Sequence, residues 1–167
     1  MSIAQALLPE FEHEIAGVRR VLERIPVEHL EYRPHPKSMT LGQLANHLAT
    51  MPGWIVSTLS RTELDFALPE TRALMPKPST TIEGLLSTLD AGREEASKAL
   101  AKASDADFQV IWSGKADGKV LFSMPRIAVV RGFVLNHAIH HRAQATVYLR
   151  MLDVPVPSLY GPTADEA

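Results

Sequence analysis

The segment Phe133-Val-Leu-Asn-His137-Ala-Ile-His140-His141-Arg142-Ala-Gln-Ala-Thr-Val-Tyr148 carries three of the chain's seven histidines within five residues. It reads as the middle of a helix running from Pro125 to Leu152. Counting about 100° per residue from Arg131 gathers Val130, Phe133, Val134, Tyr148, Met151 and Leu152 between about 200° and 300°. Arg142 returns to about 20°, beside Arg131, so the helix has an apolar face and a basic face. On this count His137 (about 240°) and His141 (about 280°) stand in the middle of the apolar face, with His140 at its edge near about 180°.

Two imidazoles on a buried face need partners, because an unpaired buried polar group costs free energy. Side chains four apart lie one turn above each other, and His-x-x-x-His is a spacing by which a helix offers two nitrogens to one metal ion. The plainer alternative is a pair of core histidines hydrogen-bonded to backbone or water. A third histidine bears on the choice. In the helix expected from Leu41 to Arg61, His47 falls on the margin of a stripe made by Leu44, Leu48, Met51, Trp54, Ile55 and Leu59. Taken by itself it is a core residue. Facing the other pair, it would complete a three-nitrogen metal site with open positions.

Outward from these two helices, the rest of the chain is helical in pattern. Leu7, Phe11, Ile15, Val18, Leu22 and Ile25 recur at three- and four-residue steps over 3–25, and Pro26 ends the run. Thr40-Leu-Gly-Gln43 is a capping box for the second helix, and Thr80-Thr-Ile-Glu83 is read the same way for a third, over 81–103. That third helix has Ile82, Leu85, Leu86, Leu89, Ala96 and Leu100 inward. Pro52 removes a backbone donor in mid-helix, so a kink or break is expected there. Residues 62–79 form a linker. Phe108-Gln-Val-Ile-Trp112 and Lys119-Val-Leu-Phe122 flank Ser113-Gly-Lys-Ala-Asp-Gly118, which suggests a small β-hairpin between the third and fourth helices. Ser123 is the expected N-cap of the fourth helix, with Pro125 in its first turn. His13, His29 and His35 are read as solvated, and the proline-rich tail from Val154 as an extended surface segment. The expectation is an all-α four-helix bundle in one domain, residues 1–167.

Composition narrows the function. A net charge of −2 gives no electrostatic footprint for nucleic acid, so no such partner is expected. Cysteine is absent, which removes disulfides, thiolate ligands and a cysteine nucleophile. No run is long enough to span a membrane and no secretory signal opens the chain, so a cytoplasmic location is expected.

Several stretches together resemble the DinB/YfiT-like family, in its damage-inducible branch. They are His35-Pro-Lys-Ser-Met-Thr-Leu-Gly-Gln-Leu-Ala-Asn-His47, Met51-Pro-Gly-Trp54, Met124-Pro-Arg126, Val130 through Arg142, and Tyr148 through Glu166. Ala143 departs from the pattern, where the family often has glycine. The resemblance implies a four-helix bundle, a homodimer, and a divalent metal ion held by residues matching His47, His137 and His141. Zinc, nickel, manganese or iron would suit imidazole ligands. It also implies a small-molecule substrate, with thiol S-transferase-like and hydrolase-like activities among relatives, and a low-molecular-weight thiol as one partner. Peptidase chemistry of the His-Glu-x-x-His kind is disfavoured, because Ala138 stands where that motif has its general base. His140 is the nearest titratable neighbour that could carry a proton. The alternative is a non-catalytic metal-binding stress-response protein. Trp54, Trp112 and Phe122 are the expected interface residues of the dimer.

Overall fold

The computed structural model describes residues 1–166. The first long helix, α1 (Ile3–Leu22), opens with Ser2 and Gln5 in a reciprocal capping box. The stripe expected for it is buried throughout. A 3-10 turn at Val27–His29 and an extended run lead to α2 (Leu41–Thr50). Thr40 and Gln43 cap α2 reciprocally, as the sequence pattern requires: the Gln43 N–H donates to Thr40 Oγ1 (3.1 Å), and the Thr40 N–H donates to Gln43 Oε1 (2.9 Å). The break expected at Pro52 is present, with α2 ending at Thr50 and α3 (Gly53–Ser60) beginning beyond it. The linker contains a strand, β1 (Glu63–Asp65), and a short helix, α4 (Pro69–Ala73). Then follow α5 (Ile82–Lys102) and α6 (Asp105–Gln109). A hairpin forms as β2 (Ile111–Ala116) and β3 (Lys119–Pro125), but its first strand is shifted from the expected one: Phe108 and Gln109 belong to α6, and Ser113–Ala116, expected in the connection, lie in β2.

The bundle is built from α1, the α2–α3 pair, α5 and the C-terminal helix. α1 packs against α5 and the C-terminal helix, and α2 lies across from it against the same two. Successive long helices α1 and α2 are therefore diagonal rather than side by side. The hairpin is one strand larger than expected, because β1 joins it in parallel in the order β1-β2-β3. Asp117 (φ 50°) and Gly118 (φ 75°) make the left-handed turn that joins β2 to β3. The Asp65 carboxylate accepts the N–H groups of Gly118 (2.7 Å), Ala67 (3.0 Å) and Asp117 (3.1 Å). The Gly118 bond is the main reason its pKa lies below the usual carboxylate value.

Two caps differ from expectation. Thr81, not Thr80, is the N-cap of α5, accepting from the Gly84 N–H (3.1 Å), so no box forms with Glu83. Ser123 is not a cap at all. It lies in β3 with its hydroxyl 2.9 Å from that of Ser113. The strand continues to Pro125, and the following N–H, of Arg126, bonds to Val110 O (2.9 Å).

The larger correction concerns the C-terminal helix, which is not one uniform α-helix. It runs as α7 (Arg126–Val129), a π segment (Val130–Leu135) and α8 (Asn136–Met151). The Asn136 N–H reaches back five residues to Arg131 O. A π turn takes in about one extra residue, so every later side chain lags the simple count by about 100°. That lag turns Ala138, Arg142, Ala145 and Leu149 into the core. Met151, expected inside, is 55% exposed, and Phe133, within the π segment, is 36% exposed. Arg142, expected on a basic outer face, is 2% exposed.

The buried guanidinium finds three acceptors. It pairs with the Glu14 carboxylate (2.8 Å), donates to Glu14 O (3.0 Å) and bonds the Tyr160 hydroxyl. The Tyr160 hydroxyl donates in turn to Glu14 Oε2 (2.6 Å). Gly17 makes room for it, since a Cβ there would lie 2.1 Å from Arg142 Nη1. The tail carrying Tyr160 is also held by Arg150–Asp165 (2.5 Å) and by Arg24–Glu166.

Removing one member of a buried pair leaves the other charge uncompensated, at a cost of about 3–5 kcal/mol. Arg142→Met and Glu14→Leu are each expected to lose that much in urea unfolding. The double variant should recover most of it. Single-variant losses below about 1 kcal/mol would mean that water reaches the pair.

Candidate metal centre

Three histidines on two helices converge on one point. α2 supplies His47, and α8 supplies His137 and His141. One ring nitrogen from each lies within 4.8 Å of the others. His47 Nε2 is 3.4 Å from His137 Nε2, which is 2.8 Å from His141 Nε2. The π segment decides the placement. With the lag of about 100°, His137 and His141 leave the centre of the buried face and take its flank, half-buried, towards α2. His47 is half-buried on the margin of its stripe, as expected. His140 is exposed, its ring 4.9 Å from that of His141. His13, His29 and His35 are exposed and take no part.

The surroundings hold the geometry. The Tyr148 hydroxyl donates to Met39 O (3.1 Å), tying α8 to the segment just before α2. The Asn46 amide exchanges bonds with the backbone of Ser79 (2.7 and 2.9 Å), tying α2 to the lead-in of α5. Trp54, from α3, stands edge-on to His47 (5.5 Å) and His137 (5.8 Å).

The outer nitrogens govern what the inner ones can do. His137 Nδ1 is 3.2 Å from Phe133 O, which can only accept, so its proton sits on Nδ1 and Nε2 presents a lone pair. His141 Nδ1 is 2.7 Å from the Gln144 side-chain oxygen. In this amide orientation the second Nε2 is a lone pair as well. Two acceptors 2.8 Å apart repel unless a proton or a cation lies between them. Turning the Gln144 amide would let His141 donate to His137, whereas a cation accepts both lone pairs and that of His47. The residues therefore fit a metal ion. The chemistry of three neutral imidazoles on two facing helices is that of a site with positions left for other ligands.

Burial favours the neutral form of two of the rings, His47 and His141. Desolvation, followed by repulsion from His141 and His137, lowers the His47 pKa to about 4. Desolvation also lowers that of His141, against the raising effect of Gln144. Ala138 is buried, so a carboxylate at that position would point into the core and not at the triad.

Comparison with known proteins agrees with this architecture. The DinB family model matches residues 1–167. The chain belongs to the DinB family. It is 26% identical over 159 residues to the uncharacterized protein YrdA of Bacillus subtilis, covering 95% of this chain and 89% of that one. A DinB-like protein from Bacillus cereus shares the fold with a TM-score of 0.69 at 24% identity, over 95% of this chain and 98% of the other. YfiT from Bacillus subtilis superposes with a TM-score of 0.67 at 18% identity, over 90% and 87% of the two chains. YfiT is described as a probable metal-dependent hydrolase with an unusual four-helix bundle topology. At these identities the likeness to the solved structures is one of fold. Among the described residues no helix is long and apolar enough to cross a membrane.

Sequence reasoning named the three histidines but missed what orients them. Gln144 follows His141 by three residues, a spacing that brings side chains together on a helix, so that partner was legible. The Phe133 carbonyl was not, because no sequence pattern announces a π turn. The structure predicts that His137 is the Nδ1–H tautomer with or without a bound ion. Long-range 1H–15N correlation of the imidazoles tests it, and an Nε2–H signal for His137 would contradict the assigned bond.

Proposed function

We propose that this DinB protein is a metal-dependent enzyme acting on a small molecule, with His47, His137 and His141 as the ligands of one divalent ion. The observation that carries the reading is the convergence of three ring nitrogens, two of them backed by Phe133 O and Gln144. Zinc, nickel and iron suit such an imidazole donor set better than manganese, which prefers oxygen ligands. An ion there supplies Lewis acidity, lowering the pKa of a coordinated water or thiol. Hydrolysis by such a water is the favoured reaction, and the description of YfiT supports it. Transfer of a low-molecular-weight thiol is the related alternative, and the absence of cysteine means that thiol would come from outside. The chain's own residues orient the ligand rings, through Phe133 O and Gln144, with His140 at the solvent edge positioned to carry a proton away. A single domain over 1–167, a cytoplasmic location and a homodimer belong to the same reading. The exposed Ile111, Val120 and Leu121 of the hairpin, rather than the tryptophans, are the apolar surface for the dimer.

Elemental analysis of untagged protein is expected to find about one metal ion per chain, lost in His137→Ala. Gln144→Ala, which releases only the orientation of His141, should weaken metal binding by about 10- to 100-fold. Absence of metal after incubation with zinc, nickel and manganese would remove the reading. Light scattering at a monomer mass would remove the dimer.

A further inference from the structure

A second feature lies against the triad and is chemically unlike it. A cavity of about 490 Å³ opens between α3, α5, the hairpin and the 64–76 segment. This is within the usual range for small-molecule sites. Its lining contains no Asp, Glu, Lys, Arg or His. One wall is a run of aromatic rings: Phe66 to Trp112 (6.4 Å), Trp112 to Phe122 (5.8 Å), and Phe122 stacked on Phe133 (4.5 Å, 9° between planes). The run ends at the residue whose carbonyl holds His137, and Trp54 spans from the lining to both His47 and His137. Trp112, expected at a dimer interface, is 3% exposed, and Phe122 is half-buried; both face this cavity. Gly114 permits the wall, since a Cβ there would lie 2.5 Å from the Phe122 ring.

The polar groups of the lining are unevenly used. Thr50, Thr58 and Thr88 spend their hydroxyls on helix carbonyls at 2.8 to 3.0 Å. Ser57, Thr71 and Ser87 also line the cavity, and their hydroxyls make no side-chain hydrogen bond among the described residues, so they are left to a ligand.

We propose that this cavity is the substrate chamber, and that it takes a neutral, flat, apolar molecule carrying a hydrogen-bond acceptor. The wall of rings favours a planar body, and the three unbonded hydroxyls call for the acceptor. A charged substrate would lose its hydration with nothing opposite to compensate. That excludes nucleotides, sugar phosphates and free amino acids from the chamber. The proposal rests on the triad as the reacting centre only for which end of the molecule reacts; binding itself needs no metal.

The chain's two tryptophans both line the chamber, so the two indole N–H signals of a 1H–15N spectrum report on it directly. Three probes of one shape are titrated into metal-free and zinc-loaded protein: 2-acetylnaphthalene, 2-ethylnaphthalene and 2-naphthoate. The ketone is expected to shift at least one indole signal saturably. It should bind at least about 5-fold more tightly than the hydrocarbon and at least about 10-fold more tightly than the anion. Ser57→Phe from α3 and Thr71→Phe from α4 each fill the chamber from a different wall. Whichever of them keeps the wild-type spectrum elsewhere should lose binding by at least about 10-fold. Unsaturable shifts, equal affinity for 2-naphthoate, or wild-type affinity in a folded filled variant would overturn the chamber. Equal affinity for 2-ethylnaphthalene would overturn the acceptor. Metal uptake measured on the same samples separates the two proposals: zinc bound without the ketone defeats only the chamber, and the ketone bound by protein that takes up none of zinc, nickel and manganese defeats only the metal reading.

Discussion

One extra residue in the hydrogen-bond ladder between Val130 and Leu135 decides where every later side chain of the last helix points. Had α8 continued the phase of α7, the two histidines would have been sealed in the core and Arg142 left in solvent. The π turn exchanges them. It brings Ala138, Ala145 and Leu149 inside and sets His137 and His141 on the flank that meets α2, and the Phe133 carbonyl within it holds the His137 ring. Local irregularities of this kind gather at functional sites because they aim side chains that a regular helix would misplace.

The exchange has a cost, which the rest of the chain meets. A guanidinium in the core needs a counter-charge and further acceptors, and a buried pair that lacks them is destabilising. Glu14 provides the charge and its own carbonyl, Gly17 the space, and Tyr160 a hydroxyl that touches both partners. The extended tail thereby becomes part of the bundle: Tyr160 fastens it at the pair, while Asp165 and Glu166 fasten it to Arg150 and Arg24 at the surface. Loss of hydration around the hydroxyl, and then its bond to Glu14, raise the Tyr160 pKa.

The hairpin and linker do for the cavity what the π turn does for the triad. A parallel strand from the linker seats Phe66 beside Trp112, and Asp65 of the same strand clamps the β2–β3 turn through three backbone donors. Helices alone would have left the outer side of α3 open. The small sheet closes it with aromatic rings, so a polar, nitrogen-rich centre and an uncharged chamber share a boundary at Trp54 and Phe133. Few polar groups beside a large apolar lining is the usual composition of a site that orients a small molecule.

Much of this was legible in residue spacing, and the limit falls at a definite point. The inward stripe of α1, the Thr40–Gln43 cap, the break at Pro52, the presence of a hairpin before the last helix and the candidacy of His47, His137 and His141 follow from periodicity and local chemistry. Those are short-range properties, written within a few residues of where they act. The cap at Thr81, the strand that takes in Ser123, and the chamber wall drawn from three separated segments depend on neighbours distant in sequence. The phase of the last helix belongs with them. A π turn is held by what packs around it, and no residue in Val130–Leu135 declares it. By itself, then, the sequence determined a helical bundle with three histidines suited to a metal. Only the tertiary structure decided that their ring nitrogens meet at one point, because that meeting depends on the phase of α8 against α2, which packing across the whole bundle sets.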